Sequence, residues 1–372
     1  MPSVNGPLLT ALTHLACVVL GGGVALLFAR QDNPLAGAAA KFSAGEGGGS
    51  GASWAGNGVS ESSSGSLFRA VRSRAYAGPR LFTKVAPARQ KSKKPIQTHG
   101  KQCKNWAVTT TIFPPTKTVN QIAALPDWCL VIAGDKKTPH AYNVSGSAVY
   151  LSPEHQEKLG FKTSGLLRWN HFGRKNLGFL YAIQPLPFTF PPPGHNVDKR
   201  YGIYDTQPVR LKSRPDELGL VTLRAGTTMP YNAQATLHAY HAFWGLLLPI
   251  TVHGRVTDIW RAYFTQRLLW DISSRIAFST PWVTQYRNAH NYLADFNSEL
   301  PLYQQSGALI EVLLKWKPVA HSLPGRLEEL YILMYEMNII GLADVKLVQA
   351  WMQDLLAVGY EFPPLPPALS GN

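Results

Sequence analysis

The sequence predicts an α/β fold in which a parallel sheet is covered by helices on both faces and is followed by a helix-rich C-terminal part. Two continuous apolar runs, WAVTTTIF from Trp106 and WCLVIAG from Trp128, have the length and β-branched content of buried strands. AVYL at 148–151 is a third, shorter strand. Because the strands alternate with helical segments and are apolar throughout, the sheet should be parallel and buried on both faces.

Helical segments separate and follow these strands. Val119–Leu125 suits a short amphipathic helix. Ser152 stands directly before Pro153, an order that is typical of a helix start because Ser caps free amides and Pro fits the first turn. A longer helix is predicted within Leu166–Gln184. Its apolar face would be formed by Trp169, Phe172, Phe179, Leu180 and Ile183.

Beyond this helix the alternation of strands and helices stops. Residues 184–216 are rich in proline and hold scattered charges, and only YGIYD at 201–205 has a weak strand pattern. From Val221 onward, helical patterns dominate. The segments with an apolar face are AFWGLLLPI, DIWRAYFTQRLLWDI, GALIEVLLKW, RLEELYILMYEM and ADVKLVQAWMQDLLAV.

The first 30 residues contain an almost uncharged run, Leu8–Ala29, which is long enough to cross a membrane as a helix. Residues 1–30 are therefore predicted to be a membrane anchor or a signal peptide, with Ala36–Ala40 as the cleavage region in the second case. Three consecutive glycines weaken the helix. Arg30 follows the run and no Lys or Arg precedes it, a distribution that would place the rest of the chain on the cytosolic side.

Residues 31–104 are predicted to be a disordered stem, rich in Gly and Ser at first and then basic. Arg69–Lys104 holds eleven Lys or Arg residues and no Asp or Glu, so that without it the net charge of +14 falls to about +3. Because the positive charge belongs to a tail and not to a folded patch, a nucleic-acid-binding protein is a poor fit. Cys103 and Cys129 either pair in an oxidising compartment or remain free thiols.

Polar residues follow the first two predicted strands, where ligands of open α/β sheets bind. After the first strand, the hydroxyls of Thr111 and Thr116 can donate hydrogen bonds to a nucleotide. After the second strand, Asp135 can accept from a ribose hydroxyl or a base N–H, and Lys136 and Lys137 can face phosphates. An Asp-Lys pair after a strand is also common as a plain turn.

A second polar cluster, which contains Asn170, Arg174 and Lys175, lies near the start of the predicted long helix. The two cations are suited to a pyrophosphate, and Arg offers a planar fork with two donors. The alternative is an exposed polar helix face.

Asp258 is the candidate catalytic residue. Arg255 and Arg261 lie three residues to either side, so that all three would share one face of a helix. The carboxylate would then act as a general base, or bind the acceptor, beside phosphate-binding arginines. The alternative is a structural ion pair.

Several blocks of the sequence, WAVTTTIFPPTKTV, WCLVIAGDKKTP, VYLSPEHQEKLGF and WNHFGRKNLGFLYAIQ, resemble the STELLO family of glycosyltransferases. The resemblance continues through PYNAQATLHAYHAFWGLLLPITV, RVTDIWRAYFTQRLLWDI and AWMQDLLAVGY. It covers most of Trp106–Tyr360 and does not include the leader or the stem. The tryptophan-rich blocks are long enough to make it specific.

This resemblance implies a glycosyltransferase-A-like, Rossmann-type sheet in a domain of residues 105–365 that binds a nucleoside-diphosphate sugar. It further implies a single-pass Golgi membrane protein with a luminal domain, associated with the cellulose synthase complex and acting in polysaccharide synthesis. Asn143 begins an Asn-Val-Ser sequon, which would be open to glycosylation in the lumen. Two alternatives stay open: secretion after signal cleavage, and a non-catalytic membrane protein that assists the assembly or trafficking of glycan synthase complexes.

One departure from the family pattern concerns the metal. The resemblance implies Mn²⁺ or Mg²⁺ held by an acidic run after the YAI helix, but here the helix meets PLPFTFPPPG, and the chain has no Asp-x-Asp. The acids in this interval are Asp198, Asp205 and the pair Asp216 and Glu217. The metal ligands are therefore not identifiable, and we expect that residues 184–216 either lost the metal site or lack a segment of the family pattern.

Overall fold

The computed structural model describes the chain in several stretches, which are residues 16–19, 25–27, 74–83, 103, 105–184, 202–205, 210–211, 221–278, 283–284 and 291–366. Within them the strands are β1 Ala16–Val19, β2 Ala25–Leu27, β3 Asn105–Thr110, β4 Trp128–Ala133, β5 Ala148–Leu151, β6 Gly202–Asp205, β7 Arg210–Leu211, β8 Val221–Thr222, β9 Thr236–Ala239, β10 Ala277–Phe278 and β11 Val283–Thr284. The α-helices are α1 Lys117–Ala123, α2 Pro153–Lys158, α3 Lys175–Ile183, α4 Gly254–Asp271, α5 Tyr292–Lys315, α6 Leu323–Glu336 and α7 Leu342–Ala357.

A mixed sheet forms the centre of the fold, with the strand order β5-β4-β3-β6-β9-β1-β10-β8 and β2 paired to β1. Strands β5, β4, β3 and β6 are parallel, and β9 joins β6 in the antiparallel direction. The prediction of a parallel sheet built from the first three apolar runs is confirmed. The YGIYD segment, a weak prediction, contains β6. The short strands β9 and β10 lie in the part that was expected to be mainly helical.

Helices cover both faces of the sheet, as the apolar strands require. On one face α1 packs over Ala107, Leu130 and Ile132. On the other face α3 crosses close to β3, where a Cβ on Gly178 would lie 2.7 Å from Cγ1 of Val108. Helices α4, α6 and α7 extend that second layer into one large apolar core. The helix-rich C-terminal part is therefore confirmed, and it packs against the sheet.

The predicted helix within Leu166–Gln184 is shorter than expected. Regular α-helix occupies only α3, and 3₁₀ turns at Lys162–Leu166 and Phe172–Arg174 precede it. Asn170 interrupts the segment with a positive φ of 53°, a conformation that a helix does not contain. Trp169 and Phe172 consequently do not share a helix face with Phe179.

Two strands lie inside the apolar run Leu8–Ala29, where a single helix was predicted. β1 pairs with β2 in antiparallel register, Cys17 opposite Leu26, and β1 also runs parallel to β9. Three glycines in the chain between the two strands disfavour a continuous helix. Among the described residues, no helix has the length and apolar character to span a bilayer.

Part of the predicted disordered stem is ordered. Residues 74–83 lie against α6 and α7, and Phe82 is 6% exposed within the main core. The composition of Arg69–Lys104 did not predict this, because the contacts are made by backbone groups and a few side chains. Near the end of the stem, Cys103 forms a disulfide with Cys129 of β4. The sequence had left this pairing open.

Buried carboxylates of the C-terminal helices hold the loops of the sheet region. Asp354 of α7 accepts hydrogen bonds from the backbone N–H groups of Lys162 and Thr163, at 2.9 and 2.7 Å. Asp344, at the start of α7, does the same for Ile250 and Thr251. The helical layer thereby fixes the backbone around the sheet.

Candidate functional site

The carboxyl ends of β4 and β5 border a pocket of about 180 Å³. It is lined by side chains of both charges and by hydroxyl groups, among them Asp135, Lys136, Thr138, Tyr150, Glu154 and Glu157. Its position is the one that the parallel sheet predicted for a ligand. It is therefore the candidate functional site.

Asp135 organises the loop after β4. Its side chain is almost buried, and Oδ1 accepts hydrogen bonds from the backbone N–H groups of Lys136, at 2.6 Å, and Asn170, at 2.8 Å. The second of these bonds links the loop after β4 to the segment before α3. Two of the predicted site residues, Asp135 and Asn170, are thus in direct contact, although Asn170 contributes its backbone and not its amide side chain.

Thr138 connects the loop after β4 to the loop after β3. Its hydroxyl accepts from the N–H of Asp135 at 2.7 Å and donates to the carbonyl oxygen of Thr111 at 2.6 Å. The hydroxyl of Thr111 itself bonds to the backbone of Phe113, and Thr116 caps α1 by accepting from the N–H of Val119. The two predicted threonines therefore shape the loops in this structure.

Tyr150 of β5 forms one wall of the pocket. A Cβ on Gly134 would lie 2.5 Å from its hydroxyl oxygen, so the end of β4 needs a glycine there. Tyr142 stacks on the Tyr150 ring at 4.6 Å between centroids. Burial raises the pKa of Tyr150, so its hydroxyl stays protonated at neutral pH and can donate a hydrogen bond.

Arg174 lies beneath this site and is 2% exposed. Its Nε donates to Oε1 of Gln156 at 2.9 Å, and its guanidinium carbon lies 3.6 Å from the centre of the Trp169 ring. Burial lowers its pKa to about 10, and the carboxylates of Asp135 and Glu157 oppose that shift. The guanidinium stays charged at neutral pH, but it supports Trp169 and does not reach solvent.

Lys136 and Lys175 differ sharply in exposure. Lys136 is exposed, and its Nζ lies 5.2 Å from the centre of the Trp169 ring, at the edge of the pocket. Lys175 is fully buried at the start of α3, with Nζ 4.6 Å from the ring centre of Phe172. The expected exposed pair of Arg174 and Lys175 is therefore replaced by two buried cations, and Lys136 is the accessible cation at the described pocket.

Gln156 of α2 is a site residue that the sequence did not single out. It is fully buried, and its amide donates to the carbonyl oxygens of Gly134 at 2.7 Å and Leu151 at 2.8 Å. One side chain thus joins the ends of β4 and β5 and orients Arg174. A glutamine in a polar helix stretch, PEHQEK, gave no signal, because glutamine is usual on exposed helix faces.

Asp258 lies in α4, and of the two neighbouring arginines Arg255 forms its ion pairs elsewhere. Its Oδ2 accepts from the backbone N–H of Ala233 at 2.7 Å. Arg255 turns away to Asp295 and Glu299 of α5. Arg261 is buried and donates to the carbonyl oxygen of Leu246.

The register of the sheet nevertheless places Asp258 near the carboxyl edge of the parallel strands. Val108 of β3 lies beside Asp205 of β6, and Asp205 lies beside Thr236 at the start of β9. Since β9 is antiparallel to β6, the loop that enters β9 runs along the carboxyl edge of the parallel strands. Ala233 belongs to that loop, so Asp258 fixes part of the edge through it.

The described residues do not supply an evident metal site. No group of three His, Cys, Asp or Glu side chains that could hold an ion occurs in the parts of the chain that the structure describes. Asp198, Asp216 and Glu217 lie outside those parts. The backbone places Asp205 at the carboxyl end of β6, next to β3. The side chains that the structure describes therefore do not fit Mn²⁺ or Mg²⁺.

Comparison with known proteins shows likeness to one family. Residues 255–367 match the model described as STELLO glycosyltransferases, a range that begins in α4 and extends past α7. Two Arabidopsis thaliana proteins, "Probable glycosyltransferase STELLO2" and "Probable glycosyltransferase STELLO1", are 25% and 24% identical to the chain over 351 and 355 residues. The matches cover 70% and 71% of this chain.

The chain spans about half the length of these curated relatives, since each match covers 46% of the relative. The match to STELLO2 is 351 residues long, which exceeds 70% of a 372-residue chain. The relative therefore holds residues within the matched region that have no counterpart here.

Proposed function

Because the chain belongs to the STELLO family of glycosyltransferases, we propose that the pocket beside Asp135 binds a nucleoside-diphosphate sugar. The observation that carries the proposal is the composition of this pocket at the carboxyl ends of β4 and β5. It combines acceptors for ribose hydroxyls with an accessible cation for a phosphate. A glycosyltransferase-A-like sheet is part of the same proposal, and the parallel order β5-β4-β3-β6 supports it.

Different side chains at the pocket would bind different parts of the nucleotide sugar. Glu154 and Glu157 offer carboxylate oxygens to hydroxyl groups, and Tyr150 offers a phenolic donor. Lys136 provides the exposed positive charge. The half-buried Trp169 ring beside it lies outside the pocket lining, where it offers a flat surface to a base or a sugar that extends from the pocket. Arg174 acts as a positioning residue because it holds Trp169 from below.

Asp258 was predicted to be a general base. Its two carboxylate oxygens accept from the backbone N–H groups of Ala233 and Ile259. The bond to Ala233 favours a positioning role for Asp258 through the loop before β9. Acid–base action by Asp258 remains a prediction from its spacing to Arg255 and Arg261 in the sequence.

The direct test is calorimetry of the full chain with UDP-sugars at low ionic strength. We expect binding that weakens as salt is added, because the accessible charge is a lysine and no described side chains hold a metal. Replacing Lys136 with alanine should weaken binding about tenfold, since a charge-assisted contact is lost. Lys137→Ala is the matched control, because Lys137 is also exposed but lies outside the pocket lining, and it should bind as the wild type does.

The same titration separates the alternatives. Tight binding that appears with Mn²⁺ and vanishes with chelator would show that scattered acids such as Asp205 build a metal site. Absence of binding under both conditions would overturn the proposal in favour of a non-catalytic protein that assists glycan synthase assembly. The stacked pair Phe296 and Tyr303, 48% and 62% exposed on α5, would offer such a protein a surface for partners.

We propose further that this domain resides in the lumen of the Golgi. The disulfide between Cys103 and Cys129 supports an oxidising compartment, because such bonds are rare in the cytosol. Membrane attachment, the cellulose synthase complex as partner and a role in polysaccharide synthesis remain expectations from the resemblance.

Glycosylation of Asn143 tests the compartment. Asn143 is exposed in the segment before β5, so its sequon is accessible in the folded domain. Expression in plant cells should give a protein whose mass falls on treatment with an N-glycosidase, and Asn143→Gln should abolish that shift. A domain that protease digests from outside intact Golgi vesicles would contradict the luminal orientation.

A further inference from the structure

We propose that the groove between α6 and α7 is a peptide-docking site, and that residues 74–83 of this chain are its resident ligand. This segment, called the latch below, lies in the part of the sequence that was expected to be a disordered stem. The proposal does not depend on the binding of a nucleotide sugar.

Glu328 of α6 is the centre of the docking site. Its fully buried carboxylate accepts hydrogen bonds from the backbone N–H groups of Leu81, Phe82 and Thr83, at 2.6, 2.8 and 2.8 Å. The hydroxyl of Thr83 adds a fourth bond at 2.7 Å. Three successive amides directed at one carboxylate are a strong, charge-assisted contact that ordinary helix packing does not require.

Gln349 of α7 extends the contact along the latch. Its amide donates to the carbonyl oxygen of Pro79 at 2.7 Å and to Glu328 at 2.8 Å. The same side chain therefore binds the latch backbone and orients the carboxylate. Further along, Glu336 accepts from the N–H of Tyr76 at 3.2 Å. The groove thus pairs with the backbone of the latch at five positions.

Side chains give the contact its sequence preference. Phe82 is inserted into the core, and its carbonyl oxygen lies so close to α6 that a Cβ on Gly325 would approach it to 2.8 Å. Tyr76 meets the Tyr335 ring edge to face at 6.2 Å, and Arg74 lies 5.6 Å from the centre of the same ring. Backbone hydrogen bonds that give affinity, together with side-chain contacts that give preference, are a known means of recognising an extended peptide.

Hydrogen bonds from the bound latch explain how the buried carboxyl group of Glu328 can carry a negative charge. Burial raises the pKa of its carboxyl, but the bonds from the latch and from Gln349 outweigh burial, and the net shift is downward. Without the latch, a carboxylate inside the groove would lose most of its hydrogen-bond donors, at a cost that favours any peptide able to replace them. The groove is therefore built around a bound peptide.

Proteolysis of the full chain tests the contact in place. Trypsin must unfold the latch locally to cut after Arg80, so we expect Glu328→Gln to accelerate that cut roughly tenfold or more. Glu329→Gln is the matched control, because the neighbouring carboxylate binds the N–H groups of Val319 and Ala320 instead. It should leave the rate of cleavage after Arg80 unchanged.

A second measurement uses a labelled synthetic peptide of residues 72–86. The double variant Tyr76→Ala, Thr83→Val weakens the latch and leaves the groove intact, so full chain with these changes should bind the peptide at least about tenfold more tightly than the wild type, whose own latch competes. These latch variants decide the question even if Glu328→Gln does not fold. Equal cleavage after Arg80 in wild type and latch variant, or no peptide binding to the latch variant, would overturn the proposal.

Discussion

Replacement of Asp344 by alanine is expected to lower the free energy of unfolding by about 3 kcal/mol or more. The carboxylate is fully buried at the start of α7 and accepts from the N–H of Ile250 at 2.7 Å and of Thr251 at 3.1 Å. The hydroxyl of Thr251 donates to it as well. The substitution would leave these donors without their acceptor and free the loop before α4.

Urea unfolding followed by circular dichroism measures this loss. Lys346→Ala, on the same helix but exposed, is the control and should change stability by less than about 0.5 kcal/mol. A loss below about 1 kcal/mol for Asp344→Ala would show that water satisfies the freed amides, and that the buried carboxylate does not hold the loop.

Replacement of Gln156 by leucine is expected to damage both the fold and the pocket. The apolar side chain has a similar size but would remove the donor to the carbonyl oxygen of Gly134 and the acceptor of the Nε of Arg174. The carbonyl oxygen of Leu151 would keep only its bond from the N–H of Gly134. We expect a loss of about 3 kcal/mol in the free energy of unfolding. Affinity for a UDP-sugar should fall roughly tenfold, because Arg174 no longer holds Trp169 in place.

Gln121→Leu is the matched control, since Gln121 is exposed on α1. Parallel urea unfolding and calorimetry distinguish the two effects of the Gln156 variant. Loss of stability with unchanged affinity would mean that Arg174 and Trp169 are not part of nucleotide recognition. Unchanged stability would contradict the structural role of the glutamine itself.

Local sequence patterns were sufficient for the first half of the sheet and for the C-terminal helices. Apolar, β-branched runs predicted β3, β4 and β5, because a strand buried on both faces must be apolar at every position. The Ser-Pro order predicted the start of α2, since capping depends on residues next to each other in the chain. The rule that ligands bind at the carboxyl ends of the strands pointed to the loops after β3 and β4, and of these two the loop after β4 lines the pocket.

Tertiary contacts decided what the local pattern could not. A run such as Leu8–Ala29 has the same apolar character whether it crosses a membrane or pairs within a sheet, and the structure places β1 and β2 in it. The burial of Arg174 depended on the side chains of Gln156 and Trp169, contacts that its own local pattern does not specify. Each polar residue looks the same in the sequence whether it faces solvent or a buried partner.

The latch shows the same limit most clearly. A basic segment without acids has too little apolar content to fold alone, so its composition predicted disorder. Its order comes from Glu328 and Gln349, more than 240 residues away in the chain, which supply the hydrogen bonds that the segment lacks. The sequence by itself determined which segments are apolar, regular or charged. Only the tertiary structure decided which partners they meet, because those partners set the free energy of burying each polar group.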